Sequence, residues 1–230
     1  MKINWDSEVL SSVSKVVDQL EHLSINKDSI ESVADWLAYE EFPIPSSAAV
    51  RDDADDFIRA TMFMNTLNFA FTDFDKSIKY EVNKDGKILS DSEAMYFQVN
   101  NAIDSGIKLT DGNEMASISL HQLKNIFVGN IEMPMLKERV EILNEVGQKL
   151  VDSYEGDWIN FINNGPKKLY SDGGGLIERL IEEFPRFDDS SQFKESNVKF
   201  YKLAQLAFWV IHAELSGSNY FKIEDMNSMT

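Results

Sequence analysis

The sequence contains no cysteine. That excludes a disulfide framework, a thiolate metal site and a cysteine nucleophile, and it fits a reducing compartment, with the cytoplasm as the default setting. Histidine is scarce too: His22, His121 and His212 lack the spacing of a metal-binding motif, so no zinc site is expected. Basic residues are the minority, 22 Lys and Arg against 39 Asp and Glu, and the net charge of −17 opposes attraction to DNA, RNA or anionic membranes. No basic stripe offsets it. No apolar run approaches the roughly 20 residues of a membrane span. The start Met1-Lys2-Ile3-Asn4-Trp5-Asp6 lacks the apolar centre of a signal peptide. Internal repeats and low-complexity tails are missing as well. A small-molecule ligand therefore suits this chain better than a polyanion or a bilayer.

What is present can build a sizeable core, since 43% of the 230 residues are hydrophobic, 15 Phe and 4 Trp among them. The length allows one compact domain over 1–230, with residues 1–45 as an optional N-terminal helical subdomain. Val9, Val13, Val16, Val17, Leu20 and Leu23 recur at spacings of three and four, predicting one buried helical stripe, and Ile30, Val33, Ala34 and Leu37 predict a second. The prolines of Phe42-Pro43-Ile44-Pro45-Ser46-Ser47 make that segment a connector. Asp52 to Asn68 reads as a third helix with an acidic first turn, the end where carboxylates complement the helix dipole.

Ile78, Tyr80 and Val82 alternate with polar residues, and Asn83-Lys84-Asp85-Gly86 then supplies turn chemistry before Ile88, so one small β-hairpin is expected and little other sheet. Ser90-Asp91-Ser92-Glu93 is a capping-box pattern opening a helix that Gly106 closes, and Ser119 with Gln122 offers another. Pro134 suits a first turn ahead of Leu136, Val140, Leu143, Val146 and Leu150. Leu176, Ile177, Leu180, Ile181 and Phe184 predict a helix stopped by Pro185, and Asn197 is the expected cap of the last long helix, which runs towards Gly217. The fold class is mainly α.

Three constellations bear on chemistry, and each has an ordinary alternative. In the last helix Tyr201, Ala204, Phe208, Ile211 and Leu215 form a core face, while Lys202, Gln205, Trp209 and His212 share another direction and could wall a ligand site. The alternative is a solvated face with a chance histidine, which periodicity alone favours. In Met64-Asn65-Thr66-Leu67-Asn68-Phe69-Ala70-Phe71, two amides sit among bulky apolar groups. They could meet a flat heterocycle while Phe69 or Phe71 stacks on it, or simply cap the helix end. Gly173-Gly174-Gly175 precedes a helix start but is not followed by Gly-Lys-Ser/Thr, so a flexible loop is favoured over a phosphate cradle. Asp52-Asp53-Ala54-Asp55-Asp56 lacks calcium-loop spacing and reads as a solvated helix start.

Several stretches, read in order, match one family pattern. They are Val33 to Leu37 after Ser24-Ile25; Thr66-Leu67-Asn68-Phe69-Ala70-Phe71; Asn100 to Gly106; Leu143-Asn144-Glu145-Val146-Gly147; Phe184-Pro185-Arg186-Phe187; and Phe200-Tyr201-Lys202-Leu203-Ala204-Gln205. In this order and spacing the chain resembles the queuosine-salvage N-glycosylases. The resemblance implies a helical domain similar to helix-hairpin-helix DNA glycosylases, which hydrolyses queuosine 5′-phosphate to release queuine without metal or redox cofactor. It implies Lys202 as a catalytic residue. It also implies Asn68, Phe69, Phe71, Asn100, Tyr201 and Gln205 as substrate-binding residues, to which the helix face adds His212. The substrate would be a small-molecule nucleotide, without direct nucleic-acid or membrane contact.

The departures from the pattern matter equally. The family's main catalytic carboxylate looks like the aspartate of a Phe-Ala-Asp-Tyr run after a Leu-Thr pair, so here it is expected just beyond Thr230. Ile223, Met226 and Met229 lead there with helical spacing. Asn101, Asp188 and Leu203 stand where the family has arginines, and Thr72 where it favours tryptophan. Fewer cations leave open a nucleosidase acting on queuosine or another modified nucleoside, and a non-catalytic base-binding protein of the same fold.

Cleaving an N-glycosidic bond builds positive charge on the ribose and negative charge on the departing base, and a site must stabilise both. Queuine lacks the N7 atom that many purine-cleaving enzymes protonate, so amides or ordered water are the candidates on the base side. Lys202 would hold the carboxylate ionised or contact a ribosyl or phosphate oxygen. His212 is a weaker candidate for proton transfer.

Overall fold

The computed structural model describes residues 7–41, 51–218 and 220–229. The proline connector and the chain start lie outside the described residues. The architecture is mainly helical, with short hairpins at its margins.

Helix α3 (Ala54–Thr66) is the centre. Asp53 caps it by accepting the Asp56 amide at 3.0 Å, and Asp55 and Asp56 occupy the first turn. From Phe57 to Thr66 every residue but Arg59 is buried, the apolar Phe57, Ile58, Met62, Phe63 and Met64 together with Thr61, Asn65 and Thr66. A helix buried almost all round must be covered on nearly every side. α10 (Lys202–Leu215), α8 (Trp158–Asn163) and α4 (Asp91–Asp104) do this.

The long helix α7 (Leu136–Tyr154) buries the stripe Leu136, Leu143, Val146 and Leu150 against α5 (Gly112–Ser117), α6 (Leu120–Ile126) and α8. It begins after Met135, so Pro134 precedes the cap rather than sitting in the first turn. Gly147 lets the α5 backbone approach: a Cβ there would lie 2.3 Å from the Ala116 nitrogen. Asn144 donates to the carbonyls of Met115 (2.9 Å) and Ile118 (3.2 Å). Leu143, Asn144, Val146 and Gly147, four of the five residues of the Leu143–Gly147 stretch, thus serve helix packing. The Ser119–Gln122 capping box is present on α6.

Gly106 closes α4 as expected. Its amide donates to Ile103 and that of Ile107 reaches back to Ala102, a Schellman close with Gly106 at φ +92°. The Ser90 side chain makes no cap bond, however, and Asp91 is held instead by Lys79 at 2.7 Å.

Among the described residues three two-stranded antiparallel hairpins appear where one was expected. The expected one is β3 (Glu81–Lys84) with β4 (Lys87–Ser90), which pairs Val82 with Leu89 across an Asp85-Gly86 turn. Both turn residues have positive φ, the geometry that matches strand twist. The others are β1 (Thr72–Asp73) with β2 (Ile78–Lys79), and β5 (Ser190–Phe193) with β6 (Ser196–Lys199). β5 and β6 show no alternation because Val198 is their buried side chain, so period two has nothing to report.

The β5–β6 hairpin takes Asn197 away from α10, whose N-cap is Tyr201. α9 (Leu176–Glu183) ends before Pro185 as read from sequence, and Pro185–Phe187 is a 3-10 turn. The first predicted stripe breaks. α1 is only Glu8–Ser14, with Val9 and Val16 buried and Val13 and Val17 exposed. The second stripe forms α2 (Lys27–Leu37), with none of its residues buried. Beyond a 3-10 turn at Ser216–Ser218, the described residues 220–229 form no α-helix but a second 3-10 turn at Met226–Ser228. Asp225 anchors that segment by accepting the amides of Leu169 (2.7 Å) and Tyr170 (3.2 Å).

Candidate functional site

The turn that ends α3 is held from outside by a buried arginine. Arg139, in the first turn of α7 and wholly buried, donates Nη1 to the Leu67 carbonyl, Nη2 to Phe69 and Ala70, and Nε to Pro134. These bonds fix Ala70 at φ +45°, a left-handed conformation unusual for a residue with a Cβ. The Arg139 guanidinium lies 4.2 Å from the Phe69 ring centre and 5.2 Å from that of Phe71. Arg186, from the 185–187 turn, approaches the same Phe69 ring at 4.5 Å and donates Nε to the Thr66 carbonyl at 2.8 Å. Its Nη2 is buried and has no hydrogen-bond partner among the described residues.

Two guanidiniums therefore share one ring, and neither has a carboxylate within ion-pair distance among the described residues. Burial pushes the Arg139 pKa down to about 10, and the Arg186 charge adds to that. Burial lowers Arg186 as well, with Asp189 opposing from further away.

Asn68 leaves this turn in another direction, donating Nδ2 to the Tyr96 hydroxyl at 3.0 Å. Burial raises the Tyr96 pKa and the Asn68 bond opposes it. The Tyr96 ring lines a cleft of about 790 Å³ between α4 and the β3–β4 hairpin, together with Arg51, Lys84, Phe97, Asn100 and Asp104. Asn100 accepts from Arg51 at 2.8 Å, and Arg51 also pairs with Asp104 at 3.1 Å. Tyr96 thus joins the Phe69 cluster to the cleft. Asn65 behaves differently, because its amide bonds back to the Thr61 carbonyl within α3.

The start of α10 is tied to Arg186's own segment, for the Asp189 carbonyl accepts the amides of Phe200 (2.8 Å) and Tyr201 (3.3 Å). Tyr201 caps α10 and gives its hydroxyl to Glu8 (2.9 Å), whose carboxylate also takes Lys199 (2.6 Å). The Lys199 bond leads in holding the Glu8 pKa low, while burial leads in raising Tyr201 to about 12. Gln205 is only 6% exposed and donates to the Phe200 carbonyl, so it belongs to the buried side rather than to one outward face with Lys202 and Trp209, both exposed. His212 accepts the Ile223 amide on Nδ1 at 3.0 Å. That bond fastens the C-terminal segment to α10, and burial, then Lys222, lowers the imidazole pKa.

The structure brings Asn68, Phe69 and Phe71 into one cluster, links it through Tyr96 to the cleft holding Asn100, and sets Tyr201 and Gln205 on a helix packed against α3. Lys202 and His212 point elsewhere, into solvent and into the C-terminal segment. At the start of α9 the Glu178 carboxylate accepts the amides of Ser171 (2.7 Å) and Gly175 (2.8 Å), so those donors already have their anion. Sequence reasoning missed Arg139, Arg186 and Tyr96. Arg139 left a signal: it stands three residues after Leu136 and four before Leu143, inside an apolar stripe.

The family model described as queuosine salvage protein matches residues 48–230. The chain belongs to that family. Similar proteins include the queuosine 5′-phosphate N-glycosylase/hydrolase of Bos taurus, 30% identical over 168 residues, covering 72% of this chain and 48% of that one. The Mus musculus protein of the same name is 29% identical over 180 residues, covering 77% and 52%. The Sphaerobacter thermophilus one is 24% identical over 225 residues, covering 96% and 68%. The chain thus spans about half the length of the mammalian relatives it matches. Within the queuosine salvage match lie the α3 turn, both ring-stacked arginines, the Tyr96 cleft and α10, whereas α1 and α2 precede it.

Proposed function

We propose that this protein hydrolyses the N-glycosidic bond of queuosine 5′-phosphate, releasing queuine and ribose 5-phosphate. The observation that carries the reading is the family match over 48–230, which takes in the whole cluster around Phe69. In the reaction the bond from the anomeric carbon to the base nitrogen breaks, water delivers hydroxide to that carbon, and a proton goes to the base. Asn68, Tyr96 and Asn100 offer amide and hydroxyl groups to the base edge, with Phe69 and Phe71 beside them. Tyr201 and Gln205 organise the start of α10, which presents Lys202 to solvent as the cation for a sugar or phosphate oxygen or for the reacting carboxylate.

The helical architecture fits a variant of the helix-hairpin-helix glycosylase fold, and the net charge of −17 fits a free nucleotide rather than a nucleic acid as substrate. A cytoplasmic setting accords with the lack of cysteine. Among the described residues no helix is long and apolar enough to cross a membrane.

The test is incubation of the full-length protein with queuosine 5′-phosphate and, separately, with queuosine, following released base by mass spectrometry. Lys202→Ala should lower turnover by about 10²-fold while leaving the melting temperature nearly unchanged, because the side chain is exposed. No release from either compound would sink the reading in favour of a base-binding protein. A fully active Lys202→Ala would return that lysine to the solvated surface.

A further inference from the structure

We propose that Arg186 is the residue that holds the phosphate monoester of the nucleotide, with Phe69 and Arg139 as the platform that presents it. The inference rests on the nucleotide reading above and goes beyond it by naming a residue for the anion. Arg186 has five N–H donors, of which Nε serves the Thr66 carbonyl, while Nη2 is buried without an acceptor. A buried donor on a charged group is costly unless something supplies the acceptor, and none of the described residues does.

Charge points the same way. In a chain of net charge −17, the Phe69 ring carries two guanidiniums, at 4.2 and 4.5 Å, whose hydrogen bonds among the described residues go to backbone carbonyls. A dianion beside Arg186 would relieve their mutual repulsion. In the Tyr96 cleft, by contrast, Arg51 is paired with Asp104 at 3.1 Å and Lys84 lies over the Phe97 ring. Arg139 cannot be the handle itself, because its Nε, Nη1 and Nη2 are committed to the carbonyls of Pro134, Leu67, Phe69 and Ala70. Placement also favours Arg186. Its turn is bonded through the Asp189 carbonyl to Tyr201, so a phosphate there would lie between the α3 turn and the start of α10, the two segments proposed to hold base and sugar.

The test compares Arg186→Gln with the wild-type full-length protein, measuring kcat/KM for queuosine 5′-phosphate and for queuosine. The variant should lose about 10²-fold on the phosphorylated substrate through KM and change less than about threefold on the nucleoside, the pattern of a lost charge-assisted contact. Arg179→Gln is the control, because Arg179 also lies over a ring, Phe161 at 4.6 Å, and donates to carbonyls. It should leave the substrate ratio unchanged. An equal fall on both substrates, or no fall on either, would overturn the assignment. Should neither substrate be cleaved even by wild type, the glycosylase reading fails, and thermal stabilisation by ribose 5-phosphate still decides Arg186. Stabilisation of wild type but not of Arg186→Gln supports it, and equal shifts or none refute it.

Discussion

Helices α2 and α3 are close in length, begin with side-chain caps and acidic first turns, and were both legible in the sequence. Their fates differ. None of the α2 residues is buried, with Ile30 55% and Trp36 57% exposed, whereas α3 buries both apolar and polar side chains from Phe57 to Thr66. Periodicity reports that a segment forms a helix and which side is apolar, but not whether anything covers that side. The family match draws the same line, beginning after α2 and including α3.

Substitution should break the comparison most visibly in α3. Phe63, fully buried, should cost about 3–5 kcal/mol when replaced by alanine, seen as a fall of roughly 10 °C in melting temperature. A loss below about 1 kcal/mol would mean that α3 is not the central helix.

Acidification probes a smaller term at the far end of α10. His212 has its pKa below the ordinary 6.5, so the folded protein favours the neutral ring that accepts the Ile223 amide. Its contribution is complete above the unfolded pKa and is lost as pH falls from there through the folded value. Melting temperature should therefore drop modestly between about pH 7.5 and about pH 5.5, and His212→Gln should flatten that slope. Glu8 and Asp157, whose pKa values are lowered, contribute above the unfolded carboxylate pKa and lose that contribution only as pH falls further. A wild-type slope identical to that of His212→Gln would remove the imidazole from the account.

The smallest effect is expected in α2, where Leu37→Ala should stay within about ±0.5 kcal/mol because the residue is already 41% exposed and no part of α2 is buried. A loss comparable to that of Phe63→Ala would show the α2 face to be covered in solution and would erase the contrast.

Legibility in the sequence followed the range of the interaction. The helix ends at Ser119 and Gly106 were readable because a cap is a contact among neighbours in the chain. The Asp85-Gly86 hairpin was readable for the same reason. The β5–β6 hairpin was not, since its residues are mostly polar and pair with one another without a buried face. In the site, the amide and rings of Asn68, Phe69 and Phe71 were visible as unusual company, and family resemblance gave them a use. The face of α10 misled: Gln205 shares spacing with Lys202 and Trp209, yet its side chain turns back to the Phe200 carbonyl.

Composition and local pattern alone determined a helical, cysteine-free, acidic protein whose motifs stand in the order of the queuosine salvage family. Only the tertiary structure decided that Arg139 and Arg186, from segments far apart in the chain, meet over Phe69. It alone decided that Tyr96 accepts from Asn68 and that His212 serves the C-terminal segment. Spacing along a chain encodes which face of an element a side chain occupies. What that face meets depends on how distant elements pack, and the cost of burying a charge or an amide is settled there.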